Sequence, residues 1–319
     1  MKKSLKSSLI LPLTMLVTLG FAACNTGIEG TKAIKMSRSE LRETMPGEEE
    51  RLAAQLTSDP LRMWSVGKEF VVADNKVAVI LELPAGVPAD PEAAALAGKV
   101  LRYSGITARP TPGGERVAVV EFQGDKGTYR FNTSRRPEVA RASFTGLDLP
   151  MLIDLDFVAR ADSLLRGRIM WTRSRLWYDA EGNYFDGRKY VPVTITSVEP
   201  GTMLFPLSVR FIDGDGRSAS MLMNVSGSSG LGAESRTLPS LFSMVDPKLR
   251  YPSITAENWQ LICDGKVALG MTKDECKLAL GNPSDVDAGH NWSSVIDVWS
   301  YKDGTFLQFQ DGLLVNFRR

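Results

Sequence analysis

The residues able to do chemistry are few and widely spaced, and their types narrow what the chain can do. A single histidine, His290, is present in 319 residues. It confines any Ser-His-Asp or Cys-His arrangement to its own surroundings and excludes a histidine-rich metal site. His290 follows Asp285, Asp287 and Gly289 in a stretch that reads as a polar, solvated loop, short of the three or four convergent ligands a metal needs. Asp154, Asp156 and Asp162 come nearest to a carboxylate pair for general acid–base work. The alternation Ile153, Leu155, Phe157 predicts instead that Asp154 and Asp156 share the outward face of a strand, or lie in a loop, and serve solubility. Asp213-Gly214-Asp215-Gly216 opens like a calcium loop but lacks the later ligands, so between two strand-like runs it reads as a hairpin turn. No catalytic set, metal site or cofactor is expected.

The remaining polar constellation is a recognition pattern. Trp171, Trp177, Tyr178, Tyr184 and Phe185 interleave with Arg166, Arg168, Arg173, Arg175 and Arg188. Aromatic and arginine side chains are enriched where binding energy concentrates. Trp171, Arg173, Arg175, Trp177 and Tyr178 are therefore the candidate interaction surface, for a protein partner, a glycan or lipid headgroups. The competing reading has the aromatics filling a small core while arginine stems cover its edges.

Three cysteines, an odd number, point to different fates. Lys2, Lys3 and Lys6, an apolar run from Leu9 to Phe21, and Ala22-Ala23 before Cys24 form the three-part layout of a secretory signal peptide. The run is short for a membrane-spanning helix. The small residues before Cys24 resemble the lipobox of bacterial lipoproteins, with Phe21 where leucine is usual. That resemblance implies that Cys24 becomes a lipidated mature N-terminus. The folded part is then held at a membrane of the cell envelope, expected to be the outer membrane, with the side it faces left open. Removal of residues 1–23 subtracts three lysines and no acid, which turns the formal +1 into 35 basic against 37 acidic residues. A chain so balanced gives no reason to expect nucleic acid as a partner. Cys263 and Cys276 remain. They fall at the end of one predicted helix and early in the next, so either a disulfide joins them, adding about 2–4 kcal/mol, or both are small buried thiols.

These residues must be positioned by α+β elements. After a Gly/Thr/Ser-rich tether, a short charged helix is expected to end near Leu56, capped by Ser37 or Ser39 or else starting only after Pro46-Gly47; tether and helix together span 24–60. From 61 to 227 the pattern is strand-like, with runs at Val71-Val72, Val77–Leu81, Val117–Val120, Tyr190–Val198, Leu207–Ile212 and Ser220–Val225. Phrases recur: Leu96-Ala-Gly98-Lys99 resembles Leu165-Arg-Gly167-Arg168, and Val119–Phe122 resembles Ser208–Phe211. The recurrence suggests tandem small SH3-like barrels over 61–150 and 151–227; one continuous sandwich is the alternative. A flexible linker is expected over 228–252.

Residues 253–319 carry the most specific pattern. Ser253 or Thr255 can cap a helix through Trp259 and Ile262 that stops at Asp264-Gly265. Thr272-Lys-Asp-Glu275 is a capping box for a second helix, closed by Gly281 and Pro283. Three strands are expected at Val295–Tyr301, Thr305–Gln310 and Leu313–Phe317, joined by turns at Lys302-Asp303-Gly304 and Asp311-Gly312. Ile262, Gly270-Met271-Thr272, Leu280-Gly281-x-Pro283, Trp299-x-Tyr301, Leu307-x-Phe309 and Asp311–Leu314 together resemble the SmpA/OmlA (BamE-like) envelope lipoproteins. That resemblance covers a fifth of the chain. It implies a helix-helix-three-strand module, also seen in β-lactamase-inhibitor-type folds, that works through protein contacts rather than chemistry. The expected function is therefore non-enzymatic: protein–protein interaction or scaffolding at a bacterial membrane. An envelope glycan or cell-wall binding module, or an inhibitor of an envelope enzyme, is the alternative, and any small-molecule ligand is unknown.

Overall fold

The computed structural model describes residues 47–225, 236–291 and 294–319. The signal-like segment, Cys24, the chain up to residue 46 and residues 226–235, which hold the Gly-rich joint, lie outside them. The described fold is α+β, with three antiparallel sheets in chain order.

Helix α1 (Glu48–Ala53) starts at Gly47, the later of the two expected starts. The first sheet holds β1 (Glu69–Val72), β2 (Val100–Pro110), β3 (Arg116–Gly124), β4 (Gly127–Asn132) and β5 (Leu152–Asp154) in the order β4-β3-β2-β1-β5. Strand alternation sends Phe70, Val72, Leu101, Tyr103, Val120, Phe122 and Tyr129 into one core. Trp64 seals it, 4.9 Å from the Phe70 ring and edge-on to Tyr103 at 5.3 Å. The run at Val77–Leu81 is not the expected strand. It forms a helical turn, Val77–Ile80, because the Asp74 carboxylate accepts from the Lys76 amide and the Val77 amide returns to the Asp74 carbonyl. A local side-chain bond here outweighs β-branched preference.

At Asp154 the chain passes directly from β5 into helix α2 (Leu155–Leu165). The expected outward strand face is therefore wrong. Asp154 is buried, and its carboxylate caps α2 by accepting from the Asp156 and Phe157 amides. Buried Lys68 reaches it at 2.7 Å and also meets exposed Asp156 at 2.6 Å. Asp162 is structural too, accepting from the Val198 amide at 2.7 Å.

The second sheet contains β6 (Ile169–Thr172), β7 (Leu176–Tyr178), β8 (Tyr184–Asp186), β9 (Pro192–Pro200), β10 (Leu207–Asp213), β11 (Ser218–Met223) and β12 (Phe242–Ser243). Their order is β12-β6-β9-β10-β11-β7-β8. Helix α2 buries Phe157, Val158, Ala161 and Leu165 in the same core as Val193, Ile195, Val209 and Phe211. Asp213 closes the expected hairpin by accepting from the Asp215 and Arg217 amides. The phrases Leu96–Lys99 and Leu165–Arg168 adopt the same turn, with Lys99 donating to the Leu96 carbonyl and Arg168 to the Leu165 carbonyl. Neither sheet closes into the expected barrel among the described residues. In the first, the edge strand β5 is three residues long and turns at once into α2, which leaves nothing to pair across the gap. The expected linker is partly folded as well. Helix α3 (Leu238–Leu241) leads into β12, which pairs with β6, and Leu238, Leu241 and Phe242 are buried in the second core.

The third sheet follows helices α4 (Ala256–Cys263) and α5 (Lys273–Leu280), whose caps Thr255 and Thr272 form as expected. The sheet has four strands rather than three: β13 (Asp285–Asn291), β14 (Ser294–Ser300), β15 (Phe306–Gln310) and β16 (Leu313–Arg318). The polar stretch around His290 is thus strand, with His290 opposite Val295. Its alternating Asp285, Asp287 and Gly289 suit an edge strand, where charge is tolerated.

Candidate functional site

The arginine-rich segment is organised by one buried ring. Trp177 is fully buried, donates its indole N–H to the Ser174 carbonyl at 3.0 Å, and packs edge-on against Phe211 at 4.9 Å. The returning chain crosses the indole at Gly187, where a Cβ would sit 2.1 Å from a ring carbon. Only glycine allows that approach. The crossing delivers Arg188, Lys189 and Tyr190 to the C-terminal helices. Arg188 pairs with Asp264 at 3.0 Å, the Lys189 amide donates to the Cys263 carbonyl, and the Tyr190 ring lies 5.7 Å from Trp259.

Beside this junction opens a cleft of about 480 Å³. Arg173, Arg175, Lys189, Arg236 and Arg319 line it, against the acids Asp186 and Asp303. Each cation is held in place. Arg173 pairs with Glu49 at 2.7 Å and donates to the Pro239 carbonyl. Arg175 donates to the Gly187 carbonyl and meets Asp186 at 3.2 Å. Its guanidinium passes over Gly265, where a Cβ would come within 2.4 Å of Nη1. Gly265 also has φ +66, so turn and close approach both require glycine there. Arg319 donates to the Gly265 carbonyl at 3.1 Å. Arg236 lies over the Phe205 ring at 4.4 Å and donates to the Tyr178 hydroxyl at 3.0 Å, while its buried Nε has no hydrogen-bond partner among the described residues.

The cleft's electrostatics follow from burial and pairing. Burial, helped by the Arg175 charge, pulls Lys189 down to about 8. Its ammonium donates to the Ala279 and Leu278 carbonyls at the C-terminal end of α5, where a cation suits the helix dipole. Burial pushes the Tyr301 hydroxyl up to about 12. Tyr184 donates to the Asp186 carboxylate, which raises its own pKa. The Thr305 amide holds Asp303 below the usual carboxylate range. Arginine cannot act as a base in a protein, so such a set is suited to holding an anion.

The five residues expected to form one surface are separated. Arg173 and Arg175 line the cleft. Tyr178 supports Arg236 from beside it. Trp177 cannot contact a partner, because its ring is core. Trp171 is half-buried on β6, between Pro192 and Ser243 of the neighbouring strands, away from the cleft lining. The sequence pattern does not point to Lys189, Arg236 or Arg319. Lys189 adjoins Arg188 of the arginine-rich segment, but Arg236 fell in the expected linker and Arg319 is the last residue. Cys263 and Cys276 are two separate buried thiols, the second of the two readings, and burial pushes Cys276 up to about 12.

No family model matches the chain, and neither the curated proteins nor the solved structures compared with it give a match.

Proposed function

We propose that the protein is a non-enzymatic cell-envelope lipoprotein, anchored through Cys24, that binds an acidic protein partner in the cleft between its second sheet and its C-terminal module. One observation carries this reading: a chain with slightly more acids than bases after residue 23 gathers five cations around a single cleft. Asp186 and Asp303 in the same lining offset part of that charge, and the cationic excess that remains attracts a partner of opposite sign and speeds encounter. The BamE-like resemblance of residues 253–319 supports it from a second direction. Two capped helices precede an antiparallel meander in the order that family has, here with β13 added. The family resemblance implies work by protein contact and a place at the outer membrane.

The test is affinity capture by the full-length tagged chain from solubilised membranes, comparing the wild type with an Arg175→Glu/Arg236→Glu variant. A protein retained by the wild type and lost from the variant is the expected result. Identical capture by both would remove the cleft from partner binding.

A further inference from the structure

The partner's chemistry can be taken further, resting on the protein-binding reading above. We propose that the cleft receives an extended acidic peptide segment of the partner, which pairs with β8 as an additional strand and places its carboxylates on the cleft arginines.

Strand β8 ends the seven-stranded order, so no strand among the described residues pairs with its outer side. It is also part of the cleft wall, through Tyr184 and Asp186. Tyr184 is 54% exposed and the Asp186 side chain 62%. The hairpin fixes which backbone groups face out. Gly187 donates to the Arg175 carbonyl and Asp179 to the Asn183 carbonyl. Leu176 pairs with Asp186 and Tyr178 with Tyr184. In an antiparallel ladder, hydrogen-bonded and non-bonded pairs alternate. The bonded pairs are therefore 175/187, 177/185 and 179/183. The N–H and C=O groups of Tyr184 and Asp186 then point away from β7, two residues apart, which is the spacing an added strand uses.

Charge selects what is added. The edge's own acid, Asp186, is already met by the Arg175 guanidinium and the Tyr184 hydroxyl. Among the described residues, Arg236 meets the Tyr178 hydroxyl through Nη1 and Arg319 meets the Gly265 carbonyl through Nη1, which leaves Nη2 of each to a ligand. Both have N–H donors to give to carboxylates spaced along a strand. A basic segment would meet a lining in which five cations outnumber two acids, and an apolar one would give the remaining Arg236 and Arg319 donors no acceptor.

The experiment uses the full chain and a fluorescein-labelled peptide of about eight residues alternating glutamate and valine, read by fluorescence anisotropy. Binding is expected to weaken on adding salt. Arg236→Gln should lower affinity about tenfold or more. Tyr184→Pro removes one outward N–H and no hydrogen bond of the β7 ladder and should abolish binding, whereas Tyr184→Ala, which loses the same ring but keeps the N–H, should retain it. Unchanged melting temperatures show that the variants fold. The same peptide N-methylated on alternate amides should not bind. Equal binding of the methylated peptide, or no effect of Tyr184→Pro, would overturn strand addition. Binding of polygalacturonate in place of the peptide would overturn it in favour of a glycan. Membrane capture separates the two levels. A partner held equally by wild type and Tyr184→Pro sinks strand addition alone. Absence of any captured protein sinks the protein-binding reading, whatever the peptide does.

Discussion

Lys68→Met is the most informative single change for the fold. Lys68 and Asp154 have side chains only 3% and 2% exposed, with Nζ and Oδ1 2.7 Å apart. Removing one member of a buried pair costs about 3–5 kcal/mol, chiefly because the other charge is left uncompensated. Here the carboxylate would keep the Asp156 amide at 3.0 Å, the Phe157 amide at 3.2 Å and the Ser58 hydroxyl at 3.4 Å. Those donors place the expected loss at the lower end, about 3 kcal/mol. Asp154→Asn keeps an acceptor for the cap and leaves Lys68 with exposed Asp156 at 2.6 Å, so about 1–2 kcal/mol is expected. The double variant removes both charges and should lose about 2 kcal/mol less than the sum of the single losses. Equilibrium denaturation of the four proteins, followed by tryptophan fluorescence and by circular dichroism, gives the cycle. Additivity within about 0.5 kcal/mol, or a loss below about 1 kcal/mol for Lys68→Met, would refute the reasoning.

Other expectations follow from the junction and its thiols. Gly187→Ala drives a methyl into a fully buried indole and should destabilise by about 1–3 kcal/mol, with a shift in tryptophan emission as the reporter. Gly265→Ala adds strain at φ +66 and displaces Arg175, so it should lower the melting temperature and weaken acidic-peptide binding together. Lys189 has a folded pKa of about 8 against 10.5 unfolded, so the unfolded chain binds more protons between these values. The stability difference between wild type and Lys189→Met should therefore rise with pH from about 8 to 10.5 and be flat below. Taking that difference cancels the opposite trend from Cys276 and Tyr301, whose raised values lower stability at high pH. Cys263 and Cys276 should resist a thiol reagent in the folded protein and both react once it is denatured; a mass two hydrogens light would show a bond instead.

What could be read from the sequence was local. Thr272 and Glu275 are three residues apart, and their capping box depends on nothing outside one helical turn. The Asp213 hairpin is local in the same way. The pattern misleads at Asp154 because Ile153, Leu155 and Phe157 keep their alternation across a switch of element. Ile153 lies on β5 and Leu155 and Phe157 on α2, so a period of two was found where no single strand exists. Lys68, the residue that makes Asp154 buried rather than solvated, comes from 86 positions earlier. The cleft was half legible. Arg173 and Arg175 stand out in their own segment, but Arg236 and Arg319 arrive through β12 pairing and the C-terminal strand. For Trp177 the core-filling reading of the aromatics is the one that applies, but a composition of aromatics and arginines carries no sign of which ring a glycine crossing will bury.

Asp154 also sets an order of events in folding. Its bonds to the Asp156 and Phe157 amides span two and three residues and can form as soon as α2 nucleates. Its bond to Lys68 closes a loop through the whole first sheet and must wait for β1 to find β5. The helix is thus started by the same carboxylate that later latches it. Loss of Lys68 should leave the refolding rate nearly unchanged and appear as faster unfolding, so the lysine governs how long the native state lasts rather than how quickly it is reached.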